Sequence, residues 1–218
     1  MKKTIYILAA LMFLWVPLAS ANLVNNPSFE LPIITTIGGI NTSVTDWNGG
    51  NKGVWYPNPD ETYTWNGSVA YIAPPVGGGN QVGYASNGGL VQWRNDLQFE
   101  AGYTYTLSVY VGTWVGAGAG YGVYLMYASP SAVNLTWETG TVSESEQMTK
   151  LVTLLHTVNP GDLSIGKNIG IALDATGINE VYFDLVTLTK TPVPIPPSVW
   201  LLGSGLIGLV GLRRRFKK

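Results

Sequence analysis

The sequence predicts an all-β protein whose main body is an antiparallel jelly-roll β-sandwich. Three observations support this class: short runs of alternating apolar and polar residues recur, turn residues separate them, and no long stretch has helical periodicity. The composition agrees, since the 218 residues include 27 glycines, 8 tryptophans and 12 tyrosines but only 11% charged residues. The chain has no cysteine, which excludes disulfides, thiolate metal sites and cysteine nucleophiles.

The strand predictions are clearest in the second half of the chain. Strands are predicted at residues 103–111, 121–127, 150–158, 165–173 and 180–189. In the first of these, the odd-numbered residues, among them Leu107 and Val109, share one face. Turns rich in glycine and proline, such as residues 159–162, separate the runs. The first half is looser, and long loops on a rigid sandwich are where binding residues usually lie.

Two terminal segments flank this body, so the predicted divisions are residues 1–21, 22–192 and 193–218. The first is a predicted signal-peptide helix, because Lys2 and Lys3 precede an apolar stretch. Its last residues, Ala19-Ser20-Ala21, have the small side chains that signal peptidase accepts. The alternative is a short N-terminal anchor.

The C-terminal segment combines a proline motif, a predicted hydrophobic helix and a basic tail. The motif contains Val193, Pro194 and Pro196, and residues 198–212 form an uncharged run of roughly 22 Å as a transmembrane helix. The tail begins with Arg213, Arg214 and Arg215. This order resembles a PEP-CTERM sorting signal. The resemblance implies an exosortase as partner, transient residence in the inner membrane and a Gram-negative host that makes exopolysaccharide; the alternative is a plain tail anchor.

The charge distribution argues against nucleic acid as a partner. Residues 22–192 hold all 13 acidic residues but only five of the 12 basic ones. Phosphate binding needs clustered lysine or arginine, which this region lacks. An acidic domain is better suited to neutral than to anionic glycans.

The body of the chain resembles two groups of jelly-roll proteins. Residues 25–30 (NNPSFE) open it and residues 181–186 (VYFDLV) close it. This order is similar to carbohydrate-binding modules of the galactose-binding-like superfamily, and also to cyanobacterial indole-alkaloid (Stig) cyclases. The resemblance implies that Glu30 and Asp184 help to hold a structural calcium ion, with backbone carbonyls completing its shell. The alternative is a pair of solvated charges at strand ends.

Aromatic residues in the loop-rich first half are the candidate ligand site. Sugar rings stack on indole and phenol rings while nearby polar groups bind the hydroxyls. The candidates are Trp55, Tyr56, Tyr63 and Trp65. The alternative is that they belong to the core, as predicted for Trp47, but Trp55, Tyr56 and Trp65 look least like core residues.

No pair of carboxylates stands at a spacing that indicates an acid and a nucleophile, and the one histidine, His156, lies on an apolar strand face. The sequence therefore predicts a protein that is not an enzyme. We expect an exported cell-envelope or matrix protein, processed by signal peptidase and an exosortase, that binds carbohydrate or exopolysaccharide. The alternatives are a purely structural biofilm protein and a calcium-dependent cyclase-like or hydrolytic enzyme on the same sandwich.

Overall fold

The structure, a computed structural model, covers most of the predicted sandwich domain. It describes residues 21–57, 64–65, 68–69, 74–113, 118–129, 131–143, 148–177 and 179–194. Residues 1–20 of the predicted signal peptide, Tyr63, Pro196, the predicted C-terminal helix and Arg213, Arg214 and Arg215 lie outside these ranges. Within them, no helix has the length and apolar character that a membrane span requires.

The described elements are β-strands arranged in two main sheets. They are β1 (Ile40–Asn41), β2 (Lys52–Trp55), β3 (Thr64–Trp65), β4 (Ser68–Val69), β5 (Val82–Ala85), β6 (Gly88–Gln98), β7 (Tyr103–Gly112), β8 (Ala119–Ser129), β9 (Ser131–Val142), β10 (Lys150–Thr157), β11 (Asn168–Thr176) and β12 (Val181–Pro192). A 6-stranded sheet has the order β1-β2-β5-β12-β7-β10, a 4-stranded sheet has the order β6-β11-β8-β9, and β3 pairs with β4. The predicted all-β, antiparallel jelly-roll sandwich is confirmed.

The two sheets enclose one main apolar core because their strands alternate. In β7, Leu107 and Val109 are fully buried, and Ser108 between them is partly exposed. In β11, on the facing sheet, Ile171 and Leu173 are likewise fully buried. Full burial of such a side chain contributes about 1.5–3 kcal/mol. The predicted packing of Trp47 is also confirmed, since its side chain is 2% exposed and belongs to this core.

Strand β11 begins later than the predicted start at Ile165. The Ile165 side chain is 40% exposed. Its backbone N–H donates to the Asp162 carbonyl at 3.2 Å, which closes a turn. The next residue, Gly166, has a φ of 72°, a conformation that glycine adopts without steric cost. The chain therefore turns here and enters the sheet at Asn168.

The segment after the predicted signal peptide runs beside the last strand. The Asn22 side chain donates to the Val186 carbonyl and accepts from the Leu188 N–H, both at 3.0 Å. The Leu23 N–H donates to the Leu188 carbonyl at 2.8 Å. These bonds hold residues 22 and 23 beside β12, the strand that carries Asp184.

A bulge in β12 determines which of its residues face the core. The register with β7 shifts between Asp184 and Thr187, and Leu185 has a φ of 48°. Phe183, before the shift, and Val186, within it, both belong to the main core. Successive strand residues point to opposite faces, so Tyr182 and Asp184 face the outside of the 6-stranded sheet.

Of the predicted sorting motif, the described part is Val193 and Pro194. The Val193 N–H donates to the Gly102 carbonyl at 2.9 Å, directly after β12 ends. The proline motif therefore begins where the sandwich ends.

Candidate active site

A second apolar cluster lies on the outer face of the 6-stranded sheet. Its members, which we call the outer cluster, are Trp55, Val82, Met148 and Tyr182, with Tyr84 and Tyr110 partly buried against them. The rings of Trp55 and Tyr182 lie 5.2 Å apart between centroids, tilted by 40°. Strands β2, β5 and β12 are neighbours in this sheet, which is why side chains from distant parts of the chain meet here.

Asp184 lies in the same sheet face as the outer cluster. Its Cα partner on β7 is Tyr110, and paired residues on neighbouring strands point to the same side. The Asp184 side chain is 0% exposed. Its Oδ1 accepts from the Leu185 N–H at 2.7 Å, whereas Oδ2 is buried and has no hydrogen-bond partner in the described part of the chain. A buried carboxylate oxygen without a partner is costly, so this atom calls for a proton or a ligand.

Glu30 is the acidic neighbour of Asp184. Its Oε1 accepts from the backbone N–H groups of Asn80 at 2.9 Å and Gln81 at 2.7 Å. The Gln81 side chain, 2% exposed, donates to the carbonyls of Phe29 and Pro32 at 2.8 and 3.0 Å. These bonds clamp the loop before β5 onto the segment around Glu30, and so hold the Glu30 carboxylate in place.

A glycine turn covers the Asp184 carboxyl group. The Gly78 N–H donates to the Pro75 carbonyl at 2.8 Å. A Cβ atom at residue 78 would overlap Asp184 Oδ2, so only glycine allows this close approach of backbone to carboxyl group. The turn thereby shields Asp184 from solvent.

Burial changes the acidity of Asp184. Loss of solvation is the largest cause and raises the pKa of Asp184 from 3.8 to about 8. The Leu185 N–H acts in the opposite direction, and the nearby Glu30 charge raises the pKa further. Asp184 therefore holds a proton at neutral pH and is a candidate general acid.

Glu180 places a further acidic group beside the outer cluster. The Tyr182 hydroxyl donates to Glu180 Oε2 at 2.6 Å. Burial, followed by this charge and hydrogen bond, raises the pKa of Tyr182 well above its usual value. Burial and Glu180 also raise the pKa of Tyr84. Both phenols stay neutral and act as hydrogen-bonding, not ionising, groups.

The two carboxylates also have the chemistry of a calcium site. The orphan Oδ2 of Asp184 and the carboxylate of Glu30 supply hard oxygen donors, and the Gly78 backbone passes close by. Calcium takes six to eight oxygens, so backbone carbonyls would have to supply the others. The described residues contain no cluster of three or more His, Cys, Asp or Glu side chains.

The predicted ligand-site residues do not lie together in one described site. Trp55 is 7% exposed and packs in the outer cluster, so the expectation that it lies outside the packed interior is wrong. Its neighbours in the sheet bury it, which its proline-rich sequence context does not reveal. Tyr56 is half-buried and pairs through its backbone with Gly38 and Gly39. Trp65 lies in β3, opposite Ser68, and Tyr63 lies outside the described residues.

Two residues that were predicted to belong to different sites lie close to the same cluster. Trp55, expected to bind a ligand, and Asp184, expected to bind a metal, lie on one sheet face and are linked through Tyr182. Sequence reasoning missed Tyr110 and Tyr182 as members of this site. The available signal was the alternation of β7 and β12, because the residues between the core positions must face outward.

A family model described as HpiC1-like, HpiC1 cyclase, matches residues 20–189. A search of curated proteins finds no match.

Solved structures with the same fold include two cyclases from Fischerella sp. TAU. A Stig cyclase in complex with (3Z)-3-(1-methyl-2-pyrrolidinylidene)-3H-indole is 22% identical, with a TM-score of 0.64, over 79% of this chain and 98% of that one. A cyclase in complex with 4-(1H-indol-3-yl)butan-2-one is 24% identical, also with a TM-score of 0.64, over 81% of this chain and 100% of that one. A family 22 carbohydrate-binding module of Clostridium thermocellum Xyn10B is 16% identical, with a TM-score of 0.46, over 82% and 100%.

The family match overturns the prediction of a protein that is not an enzyme. The matched family model, which covers nearly all of the sandwich, is that of a cyclase. The resemblance to Stig cyclases had pointed to this alternative, but no motif spacing marks Asp184 as an acid, because its raised pKa results from burial.

Proposed function

The chain belongs to the HpiC1-like cyclase family, and from this premise we propose that it is an enzyme that closes a ring by acid catalysis, with Asp184 as the proton donor. The observation that carries the proposal is the buried Asp184 carboxyl group, whose pKa is raised to about 8. A general acid works best when its pKa lies near the working pH.

The chemical steps need only one carboxyl group. Asp184 protonates a carbon–carbon double bond of the substrate, which forms a C–H bond and leaves a carbocation. A second π bond or a nucleophile of the same molecule attacks the cation and closes the ring. Loss of a proton to the Asp184 carboxylate then restores the acid. The Glu30 charge favours this return, because it disfavours the ionised form of Asp184.

The aromatic rings of the outer cluster would stabilise the carbocation that protonation forms. Trp55 and Tyr182 present aromatic rings on the face that carries Asp184, and Tyr110 pairs with Asp184 across the strands. Aromatic faces attract cations, more strongly where water is excluded. An apolar surround also protects a carbocation from capture by water.

The substrate class that we propose is an indole with an unsaturated side chain. The two Fischerella cyclases contain indole compounds, which motivates the choice of probe. The ring system would lie against the aromatic residues of the outer cluster. Because Asp184 is fully buried beneath Gly78, the glycine turn would have to move aside for the side chain of the substrate to reach it.

The test is turnover in D2O. We expect the full-length protein to convert one or more members of a panel of alkenyl indoles into cyclic isomers that carry deuterium at carbon, detected by mass spectrometry. Asp184→Asn should abolish turnover, whereas the matched control Asp174→Asn, on the other sheet, should retain it. Equal turnover by Asp184→Asn, or neither turnover of the panel nor binding of 4-(1H-indol-3-yl)butan-2-one, would contradict the proposal.

A structural calcium ion is a second proposal for the same two carboxylates. It is favoured by the unpartnered Oδ2 of Asp184 beside Glu30. Bound calcium would hold Asp184 as a carboxylate and pin the two ends of the domain together, so Asp184 could not then be the acid. Addition of CaCl2 after EDTA treatment would raise the melting temperature of the wild type but not of Glu30→Ala. An unchanged melting temperature of the wild type excludes calcium.

Delivery outside the cytosol is a separate proposal, which rests on the sequences of the two termini alone. We propose that residues 1–21 direct export and that residues 193–218 act as an exosortase-processed sorting signal. Deletion of residues 193–218 should then change the fraction in which the protein is found after cell fractionation. An unchanged distribution would count against a sorting role.

A further inference from the structure

A groove crosses the outer face of the 4-stranded sheet, on the opposite side of the core from the outer cluster. We call it the sheet groove. It has a volume of about 510 Å³ and takes residues from β6, β8, β9 and β11. The residues that bear on its chemistry are Trp93, Tyr124, Asn134 and Asp174. The proposed cyclase reaction uses none of them.

The Trp93 ring lies flat on the floor of the sheet groove. Its Cα partner on β11 is Gly170. A Cβ atom at residue 170 would overlap three atoms of the six-membered ring of Trp93, so the indole covers the glycine. One face of the ring therefore contacts backbone and the other is directed away from the sheet. A flat aromatic surface of this kind is a platform for a ring-shaped ligand.

Asp174 supplies a carboxyl group at one end of the groove. Its Cα partners on the two neighbouring strands are Gly89 and Gly122. A Cβ atom at residue 89 would overlap Asp174 Oδ1, which places the carboxyl group over that glycine. Burial raises the pKa of Asp174. A Cβ atom at residue 122 would overlap the Tyr124 ring, so the Asp174 carboxyl group and the Tyr124 side chain each lie over one of these glycines.

Tyr124 and Trp137 extend the aromatic surface across the sheet. They are Cα partners on β8 and β9, so their side chains share the outer face. Trp137 is 57% exposed on the edge strand β9. Burial and the nearby Asp174 charge raise the pKa of Tyr124, so its hydroxyl stays protonated and able to donate. Aromatic rings therefore lie on both sides of β11.

We propose that the sheet groove is a second ligand site, which binds a neutral oligosaccharide. The Trp93 ring would stack on the C–H face of a sugar ring, and hydroxyl groups would bond to Asp174, Asn134 and Tyr124. The groove is wide open to solvent, which suits part of a polymer better than a small molecule that needs to be enclosed. The carboxyl group of Asp174 disfavours anionic sugars. This site would hold the enzyme on a glycan while the reaction takes place on the other sheet.

The test is affinity electrophoresis of the full-length protein in gels that contain mixed-linkage β-glucan, arabinoxylan or galactomannan. We expect retardation by at least one of these polymers. Trp93→Ala and Asp174→Asn should each reduce the retardation at least tenfold in apparent affinity. Leu155→Ala, an exposed residue 61% accessible on the other sheet, is the matched control and should not change it.

Circular dichroism and melting temperature report whether each variant is folded. If Trp93→Ala does not fold, Asp174→Asn alone tests the proposal. Absence of retardation in all three gels overturns the proposal, as does retardation that both variants leave unchanged. Loss of retardation in Asp184→Asn, with Trp93→Ala unaffected, would move the glycan site to the outer cluster and also overturns it. Cyclase turnover is measured separately, so the failure of either proposal is distinguishable from the failure of the other.

Discussion

The indole ring of Trp55 packs against the phenol ring of Tyr182, with 5.2 Å between their centroids. Tyr182 lies two residues before Asp184 on the same face of β12. The contact therefore ties a strand from the loop-rich first half of the chain to the strand that carries the proposed acid. It forms one wall of the candidate active site.

The energy of this contact is measurable by a double-mutant cycle. We expect Trp55→Leu and Tyr182→Leu each to lower the free energy of unfolding, because both side chains are buried. The coupling between them should be about 0.5–1.5 kcal/mol, the usual value for an aromatic pair. Urea denaturation of the four proteins gives this coupling. Strictly additive effects would show that the two rings do not interact.

The protonation of Asp184 predicts an unusual dependence of stability on pH. Its pKa is about 8 in the folded state and near its usual 3.8 in the unfolded state, so only the folded state holds this proton between those values. The contribution of Asp184 to the free energy of unfolding is therefore fully present below pH 3.8 and is lost as the pH rises toward 8. The whole loss between these two pH values is about 6 kcal/mol.

The measurement is the free energy of unfolding between pH 5 and 9 in EDTA, for the wild type and for Asp184→Asn. The variant cannot ionise at this position, so its curve should be flatter than that of the wild type, and the difference between the two curves cancels every other titrating group. Parallel curves would show that Asp184 is already ionised in the folded protein.

The charge on Glu30 predicts a shift in the pH dependence of catalysis. Glu30→Gln removes a charge that raises the pKa of Asp184 but keeps an oxygen that accepts a backbone N–H. The pH above which the rate falls should therefore move down by roughly one unit. Initial rates across the pH range test this. Glu100→Gln, whose side chain is 57% exposed and paired with Lys190, is the control that should leave the profile unchanged.

Because the glycine turn lies close to Asp184, we expect that adding one methyl group at residue 78 lowers the stability of the protein. Gly78→Ala would place Cβ against Asp184 Oδ2, and we expect a loss of about 1–3 kcal/mol in stability. Gly50→Ala is the matched control, because a Cβ atom there meets nothing within 4 Å and should change stability by less than about 0.5 kcal/mol. Equal melting temperatures of the two variants would show that the turn does not press on the carboxyl group.

Much of the fold was predictable because strand patterns are local. The alternation around Leu107 and Val109 predicts β7 and its buried face, and both are found. The late start of β11 was not predictable from apolar spacing, since Ile165 fits the pattern but Gly166 turns the chain.

The candidate site was only half predictable. The motifs around Glu30 and Asp184 mark both as important and place them at the two ends of the domain. Their effect on each other, and the close approach of Gly78 to Asp184, depend on contacts between residues far apart in the chain. For the same reason the burial of Trp55 was not predicted, while its role as a ligand residue stays a prediction.

The sequence by itself determined the strand pattern, the absence of cysteine chemistry and the acidic character of the domain, because each follows from the identity and spacing of neighbouring residues. Only the tertiary structure decided that Asp184 is enclosed and that Trp93 and Asp174 line one groove. The physical reason is that sheet register brings distant strands side by side, and burial between them, not residue type, sets the acidity of a carboxyl group.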